Sequence, residues 1–467
     1  MSDNAPITEV LGRQRAAFQE EPYPDAATRV DRLRRLRVAT REWRADIVAA
    51  CQRDFGCRAA VETLSSDITA TIYAARYAER NVRRWMRPRR RKVSLLHFPS
   101  RNRVLYQPLG VVGIIAPWNY PVYTSLGPVC GALAAGNRIM LKLSEHTPGV
   151  SEALADMVAE TFAPEEVAVI EGGTEIGAAF AELPLDHLLF TGSTGVGRLV
   201  MQAAAKNLTP VTLELGGKSP CIISNSADLA MAARRVCFGK SYNAGQSCVA
   251  PDYVLCPAGS EEAFIIELSK AFTSMYPTVR DNPDCTAIIN AHHAERLQAC
   301  LDDAEAQGAR IRCLHSEPAD LSGTRQCPIT VVQGLTDSMR LAQEEIFGPV
   351  LPVLSYEDMD EAIGYIAQRP RPLALYYFGK GGKERNRILQ ELHAGGVCVN
   401  DTLVHLLQDD LPFGGLGPSG IGAYHGPEGF ETFSHAKAIH SKGRLTSTGL
   451  LYPPYTDKHK RLLDRLM

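Results

Sequence analysis

The sequence predicts an α/β protein with two doubly wound regions, and three observations carry that expectation. From residue 110 onward, short apolar runs alternate with segments of helical periodicity. That is the pattern of parallel strands buried on both faces and joined by crossover helices. One strand-to-helix junction, DHLLFTGSTGVGRL, is rich in glycine. At 467 residues the chain is also too long for one small core, so two or three domains are expected.

Residues 8–87 read as helical, with Leu, Ala and Ile at three- and four-residue spacing, as in RVDRLRRLRVATREWRADIVAACQRD. Pro88 breaks that pattern. KVSLLHFPSRNRVLYQPLG then reads as two short strands joined by a turn at Pro99, Ser100, Arg101 and Asn102. The basic run Arg83–Lys92 has two readings: a nucleic-acid contact, or a solvated helix end leading into an edge strand that its charge protects.

The first α/β region follows. GVVGIIAPW is a buried strand entering a loop, and NRIMLKLSE is a second strand after the small-residue helix LGPVCGALAAG. VAVIEGG is a third, after the helix SEALADMVAETF. DHLLFTGS is a fourth, followed by the helix GRLVMQAAAKN, and VTLELGG is a fifth. In such sheets ligands bind at the carboxyl ends of the strands. A second α/β region runs from about Gly216 to Leu403, through PCIIS, DYVLCP, ITVVQGL and GGVCVND. The tail LPFGGLGPSGIGAYHG is rich in Gly and Pro and carries little regular pattern.

Composition excludes several classes. The net charge of -2 gives no global attraction to nucleic acid or an anionic membrane. MSDNAPITEV has no basic n-region or apolar run, and no window of about 18 apolar residues occurs, so neither a secretory signal nor a membrane span is expected. A cytoplasmic protein with reduced cysteines is the expectation. The 12 cysteines are scattered, none is spaced C-x-x-C and no histidines cluster with them, so no metal site is expected.

Four stretches carry candidate chemistry. Cys248, in YNAGQSCV, sits among Asn243, Gly245, Gln246 and Ser247, which read as an exposed turn. A thiol there is a nucleophile, a ligand, half of a disulfide or a bystander. Gly192, Gly195 and Gly197 form a turn entering a helix, which is either a tight connection or a site whose free N–H groups suit a pyrophosphate. The turn is neither a Walker A loop, having Arg198 and Leu199 where Lys and Ser/Thr are needed, nor a G-x-G-x-x-G. Lys142 and Glu145 end an apolar strand and would reach a ribose, or be solvated. Glu214 lies within an apolar strand, which is costly unless the carboxylate is used or paired. Burial there would raise its pKa towards that of a base.

PWNYP at 117–121, KLSE at 142–145, FTGSTGVG at 190–197, LELGGKSP at 213–220, NAGQSC at 243–248, EEIFGPV at 344–350 and LPFGGLGPSGIG at 411–422 together resemble the aldehyde dehydrogenase superfamily. They occur in the family order, and Cys248 follows Glu214 at the family's interval of 34 residues. VNDTLVHLLQDDLPFGG resembles the shorter class 3 branch, and GPSGIGAYHGPEGF with PPY resembles the coniferyl aldehyde dehydrogenases within it. Leu143 departs from the proline common at that position, without removing a functional group.

The resemblance implies a cofactor domain (1–88 and 108–213), a catalytic domain (214–404), an oligomerisation arm (89–107 and 405–440) and a tail (441–467). It implies Cys248 as nucleophile, Glu214 as general base, and Asn119 with the Cys248 N–H as oxyanion hole. For NAD, with NADP possible in the branch, it implies Lys142 and Glu145 at the adenosine ribose. It further implies Gly192, Ser193 and Gly197 near the pyrophosphate, Glu345 and Phe347 at the nicotinamide, and Trp118 among the cofactor-binding residues. The implied reaction oxidises an aromatic or longer aliphatic aldehyde to the acid through a thiohemiacetal and a thioester. The implied assembly is a homodimer. Two rival readings are a cysteine hydrolase, which needs a histidine folded onto Cys248, and a non-catalytic binding protein on the same scaffold.

Overall fold

The computed structural model describes residues 5–94, 97–317, 323–444, 448–449 and 452–465. Three sheets organise them. The first has six strands, β3 (Val111–Ile115), β4 (Arg138–Lys142), β5 (Val167–Ile170), β6 (His187–Thr191), β7 (Val211–Glu214) and β15 (Gly420–Ile421), in the order β15-β7-β6-β3-β4-β5. All pairs are parallel except β15 with β7, where Gly420 opposes Glu214. The tail that shows little regular pattern in sequence therefore closes this sheet beside a candidate catalytic carboxylate.

The second sheet has seven strands, β8 (Pro220–Ile223), β9 (Tyr253–Pro257), β10 (Arg310–Cys313), β11 (Thr330–Gln333), β12 (Val350–Tyr356), β13 (Ala374–Phe378) and β14 (Gly396–Val399). Their order is β10-β11-β12-β9-β8-β13-β14, with only β10 antiparallel. The sequence pattern does not mark strands β10, β12 and β13. β12 and β13 are continuous apolar runs that periodicity alone does not separate from buried helix. The third sheet is antiparallel, β1 (Arg89–Arg91), β2 (Ser100–Pro108) and β16 (Ser434–Lys442), with β2 and β16 paired from Ser434 opposite Pro108 to Lys442 opposite Ser100.

The turn expected at Pro99–Asn102 is corrected here. Ser100, Arg101 and Asn102 lie inside β2, and the connection from β1 begins at Lys92. Pairing with the distant β16 extends β2 back across those residues, which a local reading of Pro, Ser and Asn misses. Leu95 and Leu96 of the expected strand lie outside the described residues. The basic run follows its bland reading in part. Arg89–Arg91 form an edge strand, and Arg89 pairs with Glu431 at 2.5 Å.

Strand alternation explains the two-sided core of the first sheet. Val112, Ile114, Ile139 and Leu141 pack with Leu33, Leu36, Ile47, Ala75 and Val82 of the N-terminal helices. Val111, Met140, Leu188 and Leu213 point to the other face and pack with Ile7, Leu11 and Val200. This is the period-2 geometry of a pleated sheet covered on both sides. The N-terminal helices are Ala5–Glu20, Ala26–Glu42, Arg44–Phe55 and Ala70–Trp85. Asp25 starts the second by accepting from Thr28 N at 2.8 Å, and Gly56, at φ 77°, ends the third. A π-helical segment, Thr63–Thr69, precedes the fourth. Such segments concentrate where a helix serves a site.

Candidate active site

The carboxyl ends of β6 and β7, the loop before β12 and the turn after helix Leu229–Ser241 surround one cavity of about 690 Å³. That volume suits a small organic ligand. Cys248, Glu214, Asn119, Trp118, Gly192, Ser193, Glu345 and Phe347 all line it. Lys142, Glu145 and Gly197 do not. Lys142 is buried, its ammonium donating to Leu143 O at 2.6 Å and lying 3.5 Å from Glu145 Oε2. Gly197 sits one turn into helix Thr194–Ala205, where a Cβ would meet Leu215 Cδ2 at 2.6 Å, so only glycine lets that helix approach the sheet.

The stretch around Cys248 corrects the reading of an exposed turn. Asn243, Ala244, Gln246 and Ser247 are buried. Asn243, Ala244 and Gly245 have φ of 52°, 53° and 69°. Three successive left-handed residues, two of them not glycine, are strained and persist only where neighbours over-determine them. Those neighbours are visible. Gln246 Nε2 donates to Asn243 O and Ala287 O, each at 3.1 Å, and Gln246 Oε1 accepts from Ile289 N at 2.9 Å. Glu62 Oε1 accepts from Asn243 N at 3.1 Å. A Cβ on Gly245 would lie 2.6 Å from Gly348 O. Polar residues that read as a solvent-facing turn are spent on internal hydrogen bonds.

Asn119 is fixed by residues that sequence reasoning did not single out. Its side-chain amide donates to Gln246 O at 3.1 Å. Its carbonyl accepts from Arg58 Nη1 and Asn243 Nδ2, both at 2.9 Å. Arg58 pairs with Asp67 at 2.7 Å, both fully buried, and Asp67 Oδ1 accepts from Val122 N and Tyr123 N at 3.0 and 3.1 Å. A buried ion pair is a weak source of stability, but removing one partner is costly. Here its geometry anchors the chain at Asn119 and at Val122 and Tyr123 just after it. Arg58, Asp67 and Glu62 carried no readable signal, because their partners lie far along the chain.

The loop holding Glu345 and Phe347 is clamped by Asp252, Lys218 and Arg296. Asp252 Oδ1 accepts from Ile346 N at 2.8 Å and its other oxygen pairs with Lys218. Lys218 also donates to Leu341 O at 2.7 Å, and Arg296 donates to Ile346 O at 2.6 Å. Gly216 gives Glu345 room, since a Cβ there would lie 1.9 Å from its Oε2. Trp118 stands edge-on to Phe347 at 5.4 Å and packs on His293 at 4.9 Å.

Burial dominates the electrostatics. It raises Glu214 well above the usual carboxylate range, and neither carboxylate oxygen has a hydrogen-bond partner among the described residues. Burial also pushes Glu345 up to about 8, with the charge of Asp252 adding to it and the Gly217 N–H opposing. The Cys248 thiol is raised by burial and then by the Glu345 and Glu214 carboxylates, while the Cys248 and Val249 N–H groups favour the thiolate. No histidine is among the main groups acting on that thiol. His293 and His425 do line the cavity, but His293 packs at a tilt against Trp118 and His425 bonds Tyr123. The requirement of the hydrolase reading is therefore not supplied by these two.

The residues fit a dinucleotide. A Gly192–Ser193 turn opens onto the cavity at the start of helix Thr194–Ala205, and nothing lies within 4 Å of a Cβ built on Gly195. An unpartnered carboxylate and a thiol face the same space. Among the described residues, no group of three or more His, Cys, Asp or Glu is arranged to hold a metal, and no helix is long and apolar enough to cross a membrane.

Residues 2–439 match the aldehyde dehydrogenase family. The chain is 50% identical to a probable coniferyl aldehyde dehydrogenase of Pseudomonas aeruginosa, over 98% of this chain and 95% of that protein. It superposes on a substrate-bound AldH of Staphylococcus aureus with a TM-score of 0.93 at 38% identity, covering 99% of each chain. It also superposes on a betaine aldehyde dehydrogenase of the same organism in complex with NAD+, with a TM-score of 0.84 at 26% identity, covering 94% of this chain and 87% of that one.

Proposed function

The chain belongs to the aldehyde dehydrogenase family, and from that membership we propose that it oxidises an aromatic aldehyde of the coniferyl type with NAD, using Cys248 as nucleophile, Glu214 as base and Asn119 as oxyanion donor. It is an aldehyde dehydrogenase acting with a nicotinamide cofactor. The observation that carries the finer reading is the meeting of thiol, orphan carboxylate and anchored amide in one cavity.

In this reading Cys248 Sγ adds to the carbonyl carbon, and the oxygen becomes negative. The Asn119 amide and the Cys248 N–H stabilise it, each such donor contributing typically about 3–4 kcal/mol. The nicotinamide supplies the two-electron acceptor that aldehyde oxidation requires. The resulting acyl group is held on Cys248 as a thioester. Glu214, in its ionised form, takes a proton from water, and the water's oxygen attacks the thioester carbon to release the acid. Because burial raises Glu214, its base form and hence deacylation gain with rising pH.

Residues fitted to the cofactor are Gly192, Ser193 and Gly197 at the pyrophosphate, Glu345, Phe347 and Trp118 at the nicotinamide end, and Lys142 and Glu145 at the adenosine ribose. Support for NAD over NADP comes from Glu145. Burial pushes its carboxyl up, but its own backbone N–H and Lys142 outweigh that and hold it below the usual range. A 2′-phosphate would meet that negative charge, a conflict of roughly 1–4 kcal/mol at close range. The same reading assigns 1–88 and 108–213 to the cofactor domain and 214–404 to the catalytic domain. It assigns β1, β2 and β16 to an arm that pairs in a homodimer, and gives the protein a cytoplasmic location.

The test is a panel of cinnamaldehyde-type, benzaldehyde-type, short and long aliphatic aldehydes, followed by NADH absorbance. Cinnamaldehyde-type substrates are expected to give the highest kcat/KM, and Cys248→Ser to lose nearly all turnover while still binding NAD. Wild-type-like turnover in Cys248→Ser sinks the nucleophile assignment, and a preference for long aliphatic aldehydes sinks the substrate class.

A further inference from the structure

Two side chains that the reaction does not use form a polar node in the wall of the cavity. Tyr123 Oη and His425 Nε2 lie 3.1 Å apart, and both side chains line the cavity. Other lining residues include Phe238, Leu403, Val404, Leu407 and Phe413. A phenol and an imidazole placed among apolar groups carry a desolvation cost that one mutual hydrogen bond offsets only in part. The pair is nevertheless held in place from several sides.

His425 stacks on Phe413 at 5.1 Å and 16°, and meets Tyr424 edge-on at 4.6 Å. Its φ is 113°, a left-handed conformation that a histidine rarely adopts. An observed backbone outlier at a cavity wall points towards function. Tyr123 N is bonded to Asp67, so the phenol rides on the same buried ion pair that anchors Asn119. Burial pushes the His425 imidazole down to about 3, with the nearby His405 adding to it, so the ring is neutral at working pH.

A neutral imidazole and a phenol offer no counter-ion to a charged tail. Among the described residues that line the cavity the one Lys or Arg is Arg296, whose guanidinium is committed to Glu345 O and Ile346 O. What the node offers is the hydrogen-bonding capacity left on the Tyr123 hydroxyl. Aromatic walls at Phe238, Phe413 and Tyr424 favour a flat ring beside it.

We propose that Tyr123 and His425 are specificity-determining residues, receiving a ring hydroxyl of an aromatic aldehyde and so selecting hydroxylated aromatic aldehydes over unsubstituted ones. The proposal rests on the aldehyde-oxidising reading of this cavity and names the substrate feature that the cavity distinguishes.

The experiment compares 4-hydroxycinnamaldehyde with cinnamaldehyde in the parent enzyme and in Tyr123→Phe. The parent is expected to favour the hydroxylated aldehyde about tenfold in kcat/KM, the scale of one hydrogen bond in a desolvated site. The ratio should collapse to about one in Tyr123→Phe. In parallel, isothermal titration calorimetry on the parent measures Kd for the two corresponding acids, which needs neither turnover nor a variant. Tighter binding of the hydroxylated acid supports the subsite even if no aldehyde yields NADH, an outcome that would remove the proposed reaction instead. Equal Kd for the two acids, or a parent ratio that persists in Tyr123→Phe, overturns the proposal.

Discussion

Two carboxylates in the cavity are raised by burial, and each leads to a measurable consequence. Burial pushes the Glu345 carboxyl up to about 8 in the folded protein, against 4.5 when solvated. Between those values the folded state holds a proton that the unfolded chain has released, so stability falls as pH rises across that window. The Tm of the cofactor-free protein should therefore decline from about pH 5 to pH 8, and Glu345→Gln should reduce that slope. Glu214, raised by the same cause, keeps part of it. Calorimetry across the window decides, and an unchanged slope in the variant removes Glu345 as the origin. The second consequence is kinetic. Under the proposed role of Glu214 as base, Glu214→Gln keeps the shape and removes the proton acceptor, so stopped-flow traces should give a rapid burst of NADH followed by turnover slowed by about 10²–10⁴. Loss of the burst would mean that Glu214 activates Cys248.

At the scale of elements, the segment before Cys248 is a strained turn that has no regular hydrogen-bond ladder and is held by side chains. Gln246 makes three of its bonds, to Asn243 O, Ala287 O and Ile289 N. Gln246→Ala leaves buried backbone groups without partners, at about 1–3 kcal/mol each. The variant should melt several degrees lower and lose kcat more than KM suffers, because the thiol and its N–H lose their fixed position. A variant with parental kcat would show that the Glu62 and Asn243 bonds suffice. The Arg58–Asp67 pair acts alongside it, tying the π-helical segment Thr63–Thr69 to the start of helix Tyr123–Ala135. One buried ion pair thus holds both Asn119 and the wall that carries Tyr123.

At the scale of the whole molecule, the site is assembled from the first sheet, the second sheet and the returning tail. β15 delivers the 420–425 segment beside Glu214, and β16 then leaves to complete the antiparallel arm with β1 and β2. In the order β1-β2-β16, the outer edge of β16 has no strand paired to it among the described residues, and a free edge is a template for pairing. A homodimer is expected, and sedimentation velocity should give about twice the chain's 51.0 kDa. Removing residues 434–467 should yield monomer or aggregate, and an intact chain sedimenting as a monomer would rule out the assembly.

Sequence by itself determined the alternation of strands and helices, the Gly-rich turn at 192–197 and the order of motifs carrying Cys248, Glu214, Asn119, Glu345 and Phe347. These are local patterns, fixed by side-chain periodicity and by residue types that few backbones tolerate. Only the tertiary structure decided that the NAGQ turn is buried, that Ser100–Asn102 belong to a strand, and that Arg58, Asp67 and Glu62 serve Asn119 and the Cys248 turn. It also separated Lys142 and Glu145 from the cavity lining and brought His425 to Tyr123 across 302 positions of chain. The physical reason is the same throughout. A polar residue reads as solvent-facing until its partner is known, and here the partners are distant in sequence and are supplied by packing.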